Sequence, residues 1–212
     1  MEFVVIPLIL FLLGSYGYEE EADRVAQVST HTRNNKQIVE GISRFQFSET
    51  GRTRLMYAAM TGNLERLNFI ADLGAQVNMT TIDDNGLAMW TALHFATRYG
   101  HTECVRSLLD RGAVIDIGVD VAVVPFCLAC VYGHLEIVHL LYEGGAQINL
   151  QCPYLNGQTA LASCTNVDIV RYLCENGANT LLSVNGETPY MRACRRYGIK
   201  SPLARFLETY PH

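Results

Sequence analysis

Four Gly-Ala dipeptides, Gly74-Ala75, Gly112-Ala113, Gly145-Ala146 and Gly177-Ala178, recur at spacings of 38, 33 and 32 residues. A period of this size constrains the fold more than composition does. A unit so short is one supersecondary element that cannot bury its own apolar face, so its neighbours in a stack must bury it. Each dipeptide follows a helix-like stretch, seen in 64–70, 102–109 and 135–141. The glycine falls where a helix needs a left-handed C-cap.

A second helix-forming segment lies upstream of each of these stretches. The openings are Thr53-Arg54-Leu55, Thr91-Ala92-Leu93, Val124-Pro125-Phe126, Thr159-Ala160-Leu161 and Thr188-Pro189-Tyr190. Threonine is a good N-cap, and proline suits the first helical position, where its missing N–H costs nothing. The first helix should end at Gly62, Gly100 and Gly133, with His101 and His134 following two of them. The second begins with an acid, Glu65, Glu103, Glu136 or Asp168, well placed against the helix dipole. Five positions beyond each opening stand Ala58, Ala96, Ala129, Cys164 and Ala193; six beyond stand Ala59, Thr97, Cys130 and Cys194, the fourth unit omitted. Small residues at equivalent positions are what tightly packed helices demand.

These openings resemble the Thr-Pro-Leu-His start of the ankyrin-repeat family, and Gly-His resembles its turn between helices. The resemblance covers residues 49–212 and implies an all-α repeat solenoid. About five helix-turn-helix units, near 49–81, 85–116, 117–149, 155–180 and 184–212, would stack with projecting hairpin loops. It also implies that His101 and His134 bond backbone groups of adjacent repeats, and that His94 bonds back to its own helix start.

Two departures from regularity stand out. The connection from Gly74 to Thr91 is about four residues longer than a regular repeat allows, which places Met89 and Trp90 on an extended hairpin. In the fourth unit six residues separate Thr159 from Thr165, against nine from Thr91 to Gly100, a loss of nearly one turn. At the C-terminus, Ser201-Pro202 should open a last helix whose Leu203, Phe206 and Leu207 form a buried stripe.

The N-terminal 48 residues lie outside this pattern. Residues 1–17 contain an apolar run, Phe3 to Leu13, followed by Gly14-Ser15-Tyr16-Gly17. The run is too short to span a bilayer, which takes about 20 apolar residues. It reads either as a signal peptide, against which stands Glu2 where a positive charge is expected, or as an apolar N-terminal helix or mispredicted start. Residues 18–48 read as a linker or capping element, polar at first and amphipathic around Ile38, Val39 and Ile42.

With 16 Lys and Arg against 21 Asp and Glu, the net charge of −5 leaves no cation excess for a phosphate backbone, so nucleic acid is not an expected partner. The seven cysteines, at 104, 127, 130, 152, 164, 174 and 194, are scattered instead of forming a disulfide framework. Unpaired thiols and the repeat fold favour the cytoplasm; a genuine signal peptide at 1–17 would make the protein secreted. Cys127 and Cys130 form a Cys-x-x-Cys, but Cys130 holds a small-residue core position and no second pair supplies further ligands. Phosphate-cradling, zincin and nucleophile-elbow motifs are absent from the sequence. No catalytic, cofactor or metal site is expected, and the chain is not expected to be an enzyme.

The remaining function is protein recognition by a monomer, as scaffold or adaptor, through a concave surface. The resemblance implies two classes of contact position. The residue between the hairpin glycine and the opening threonine gives Arg52, Gln158 and Glu187, with Met89 and Trp90 on the longer hairpin. The residues before the glycine that ends the first helix give Met60 and Thr61, Arg98 and Tyr99, Val131 and Tyr132, and Arg195 and Arg196. For Trp90, packing under its own hairpin competes with a role as anchor. Four arginines in this set point to an acidic or phosphorylated partner segment. The alternative is a secreted or effector-type protein with a Cys-dependent activity.

Overall fold

The computed structural model describes residues 52–81, 89–117, 124–152 and 155–210. Both N-terminal segments, 1–17 and 18–48, lie outside the described residues. The described part contains ten α-helices: α1 Arg54–Thr61, α2 Leu64–Asp72, α3 Ala92–Tyr99, α4 Thr102–Asp110, α5 Pro125–Tyr132, α6 Leu135–Glu143, α7 Ala160–Ser163, α8 Val167–Glu175, α9 Pro189–Tyr197 and α10 Pro202–Thr209. Isolated bridges of extended chain join Cys152 to Gln158 and Val184 to Glu187.

The helix starts follow from the opening residues. The hydroxyls of Thr53, Thr159, Thr188 and Ser201 accept from the amides of Met56, Ala162, Met191 and Ala204. In α3 the His94 ring closes the cap, its Nδ1 accepting from the Thr91 amide at 3.1 Å. Pro125, Pro189 and Pro202 each occupy the first turn of their helix, where no backbone donor is needed.

Odd-numbered helices form an inner row, each packed on the next, and even-numbered helices form an outer row whose members meet less closely. Closer approach on one side curves the stack toward the inner row. The small residues allow it: Ala58, Ala96 and Ala129 have no exposed surface. One continuous apolar core runs from Leu55 to Leu207.

Hydrogen bonds tie the first four repeats together, each to its neighbour. His101 Nε2 donates to the Met60 carbonyl at 3.1 Å, and His134 Nε2 to the Arg98 carbonyl at 3.2 Å. Gly62 and Gly100 are needed twice over. Both have positive φ, and a Cβ there would lie 2.5 Å and 2.6 Å from the rings of His101 and His134. On the hairpin side, Asn78 Nδ2 donates to the Gly112 carbonyl while its Oδ1 accepts from the Val114 amide. Asn149 repeats the pattern two interfaces later, with Gly177 and Asn179.

The fourth repeat departs as its spacing predicts. Helix α7 has four residues where the other first helices have eight or nine. Its chain leaves through Cys164 in an extended conformation instead of a left-handed glycine.

Two outcomes test this organisation. Amide exchange is expected to be fastest, chain ends aside, across 159–176, because a short unit loses interface to both neighbours; uniform protection would show that the missing turn is absorbed without cost. Gly100→Ala is expected to cost roughly 1–2 kcal/mol or more, from the left-handed backbone and the His134 contact together. An unchanged urea midpoint would contradict that contact.

Candidate functional site

The two rows differ in charge. The inner helices carry Arg54, Arg98, Arg192, Arg195 and Arg196 and no Asp or Glu, whereas the outer helices carry Glu65, Asp72, Glu103, Asp110, Glu136, Glu143, Asp168, Glu175 and Glu208 against Arg66, Arg106, Arg171 and Arg205. Outer charges are in part paired between repeats: Arg111 meets Asp72 at 2.8 Å and Arg106 meets Glu136 at 3.7 Å.

On the inner row, Arg98 is held by rings. Its guanidinium carbon lies 5.5 Å from the centroid of Trp90, 5.8 Å from Tyr99 and 5.6 Å from Tyr132, which belongs to the next repeat. A cation within about 6 Å of an aromatic face is attracted by the ring quadrupole. No carboxylate pairs with it among the described residues. Tyr99 and Tyr132 are 50% and 47% exposed, and each stacks on the histidine two positions on, His101 or His134. Arg98, Tyr99 and Tyr132 thus form one half-exposed cationic and aromatic cluster spanning two repeats.

The other sequence-predicted positions separate into groups. Met60, Thr61 and Val131 end their helices with Thr61 exposed and the other two half-buried, and Met89 is exposed at the hairpin base. Arg52 lies over the Phe95 ring at 5.1 Å. Arg195 and Arg196 are exposed on the last turn of α9. Glu187 is engaged by Arg195 at 2.9 Å and by Arg192 at 4.0 Å.

Two positions must be removed from the surface. Trp90 is 2% exposed, packed against His94 and Phe95, because the Trp90 amide and carbonyl pair with Thr81 and close the hairpin base over the ring. It supports Arg98 from beneath instead of meeting a partner. Gln158 is 7% exposed; its backbone carbonyl accepts from the Cys152 amide and its side chain accepts from the Ser163 hydroxyl. The short α7 leaves Gln158 folded over the helix start.

Two of the cysteines meet. Cys127, in the first turn of α5, and Cys152, on the following hairpin 25 residues on, bring their sulfurs together, with Cα atoms 7.4 Å apart, wider than a disulfide normally spans. Cys127 holds a periodic helix position and Cys152 does not, so no repeat arithmetic brings them together. Cys104, Cys130, Cys164 and Cys174 are free and buried. Burial first, then the charge of Glu103, pushes Cys104 up; burial raises Cys130 well above the ordinary thiol range and Cys164 to about 11. A reactive cysteine needs the opposite shift. Among the described residues no three His, Cys, Asp or Glu side chains gather to hold a metal, and no helix is long and apolar enough to cross a membrane.

The family profile described as ankyrin repeats, three copies, matches residues 26–120 and 125–207. The chain belongs to the ankyrin-repeat family. It is 31% identical to the ankyrin repeat protein nuc-2 of Neurospora crassa over 81% of its own length and 16% of that protein. It is also 36% identical to inversin of Danio rerio over 31% of this chain and 6% of the relative. With serine/threonine-protein kinase 12 of Arabidopsis thaliana it shares 38% identity over 39% of this chain and 17% of the kinase. The ankyrin array thus spans less than a fifth of these relatives. Ankyrin repeats generally mediate protein–protein interaction.

Sequence reasoning missed Arg192, although the spacing of Arg192, Arg195 and Arg196 on one helix was there to be read. In the array, native thiol labelling near pH 8 is expected to modify at most Cys194 quickly, since it alone of the free cysteines is half-exposed. Several fast-reacting groups would contradict the burial. The raised thiol values also carry a sign. A group whose folded pKa exceeds its unfolded value of 9.0 stabilises fully below that value, so stability should fall as pH rises from 9.0 through about 11. A flat alkaline limb in chemical denaturation would refute it.

Proposed function

We propose that the ankyrin array is a protein-binding scaffold or adaptor that captures a segment of a partner along its inner row, with Arg98, Tyr99 and Tyr132 at the centre. The observation that carries this reading is a row of inner helices that bears arginine and exposed tyrosine and no carboxylate, in an otherwise acidic protein. Tyrosine and arginine are among the residues that dominate interface energetics, and rings already packed around Arg98 lower the entropy lost on binding. Arg52, Met60, Thr61, Met89 and Val131 flank the cluster and would form its rim. The charge favours an acidic or phosphorylated segment. A Cys-dependent activity finds no support in thiols that burial pushes up. The array would act as a monomer.

The test compares rows. A partner recovered with the full chain should bind the Arg98→Ala and Tyr99→Ala variants more weakly by about 2 kcal/mol each if these are central residues. Stability should change little, within about 0.5 kcal/mol for Tyr99→Ala. Arg106→Ala, on the outer row among Glu103 and Glu136, should leave binding nearly unchanged. Intact affinity in the inner-row variants with loss in Arg106→Ala would move the interface to the outer row.

A further inference from the structure

The missing turn of α7 uncovers part of the next inner helix. Helices α1 and α3 run their full length beside α3 and α5, so the last turns of those helices have inner-row neighbours. Helix α7 stops at Ser163, and the last turn of α9 lacks such a neighbour. The gap is a narrow notch whose walls include Leu161 and Cys164 on one side, Arg192, Arg196 and Tyr197 on the other, and Leu203 of α10 at its back.

Arg192, Arg195 and Arg196 stand at i, i+3 and i+4, which puts them on one face of α9. Among the described residues their carboxylate partner is Glu187, shared by Arg192 and Arg195. Arg196 rests over the Tyr197 ring at 5.9 Å. Arg192 is partly buried, and its Nε–H has no acceptor. Burial first, and then the charge of Arg196, lowers its pKa against the pull of Glu187. Two cations in the last turn suit the helix dipole. The dipole does not account for Arg192 one turn earlier, nor for like charges at i and i+4, which destabilise a helix. Three guanidinium groups on one helix face, two of them sharing a single carboxylate, are a cost that a bound anion would reduce.

The geometry favours a phosphate monoester over a carboxylate. A monoester carries nearly two charges at neutral pH and three acceptor oxygens, enough to engage several guanidinium forks at once. The notch is a single locus, not a stripe, and the outer row is acidic, which disfavours a polyanionic strand or an anionic bilayer. Leu161, Tyr197 and Leu203 offer apolar contact to the chain that bears the phosphate.

We propose that Arg192 and Arg196, which line the notch left by α7, and Arg195 beside them on the same helix face bind a phosphorylated side chain of a protein partner. The partner being a protein rests on the inner-row reading; the phosphate site does not.

The test uses the full chain and three probes: a short Gly- and Ala-flanked phosphoserine peptide, the same peptide unmodified, and vesicles containing phosphatidylserine. Arginine side-chain N–H resonances report where each probe sits. Millimolar phosphopeptide is expected to shift Arg192, Arg195 and Arg196 but not Arg98 or Arg171, and the unmodified peptide to shift none. Arg196→Ala, at an exposed position, should keep the fold by circular dichroism and weaken the phosphopeptide by roughly tenfold or more, the scale of a lost charge-assisted hydrogen bond. Equal response to both peptides, shifts centred on Arg98, no shift at all, or capture by vesicles without response to the phosphopeptide would each overturn the site. Because this readout needs no natural partner, it can succeed while the Arg98 and Tyr99 variants fail to alter partner binding, and the reverse.

Discussion

The close contact between a glycine that ends one inner helix and the histidine of the next repeat organises the stack. Gly62 and Gly100 leave room for the rings of His101 and His134, which reach past them to the Met60 and Arg98 carbonyls. A helix end always leaves carbonyls without intrahelical partners. Here the neighbouring repeat satisfies them, so capping and inter-repeat adhesion are one interaction. The same rings support Tyr99 and Tyr132 by stacking, so the contact that holds the repeats together also sets the attitude of the most exposed aromatics on the inner row.

That chain of contacts stops at the fourth repeat. A Cβ at Gly133 would touch nothing within 4 Å, because Thr165 and Asn166 stand where the earlier repeats have glycine and histidine. Cys164 and Asn166 replace the lost device locally: the thiol donates to the Asn166 carbonyl, and the Asn166 side chain accepts from the amides of Asp168 and Ile169 to start α8. Capping survives, but adhesion through a histidine does not. In a linear array a defect of this kind weakens two interfaces and leaves distant ones untouched.

Much of the architecture was legible because it is periodic. Threonine and proline at helix starts, small residues inside, and six residues in place of nine in the fourth repeat are local signals, and each becomes the feature it implies. What escaped was set by pairs outside the period. Trp90 is apolar and polar enough for either surface or interior, and only the pairing of Thr81 with the Trp90 backbone decides for burial. Cys152 and Gln158 lie on a hairpin whose partners, Cys127 and Ser163, come from the repeats on either side. The recurrence of asparagine at 78 and 149 was visible, yet its bonds to Gly112 and Gly177 exist only once repeats are stacked.

The charge asymmetry follows from the same stacking. Outer helices meet less closely, so long charged side chains can span the gap, as Arg111 does to Asp72. Inner helices approach through alanine and cysteine and leave no room for such pairs except at helix ends. A cation placed there must lie on aromatic rings, as Arg98 does, or gather beside its like, as the arginines of α9 do. Arg98 is left without a carboxylate partner among the described residues, and the α9 arginines have Glu187 alone, shared by two of them. Exposed ion pairs contribute little to stability, so the outer acids cost the fold little. They outnumber the outer arginines, Arg66, Arg106, Arg171 and Arg205, so attraction for an anionic partner is strongest along the inner helices, which carry no acid.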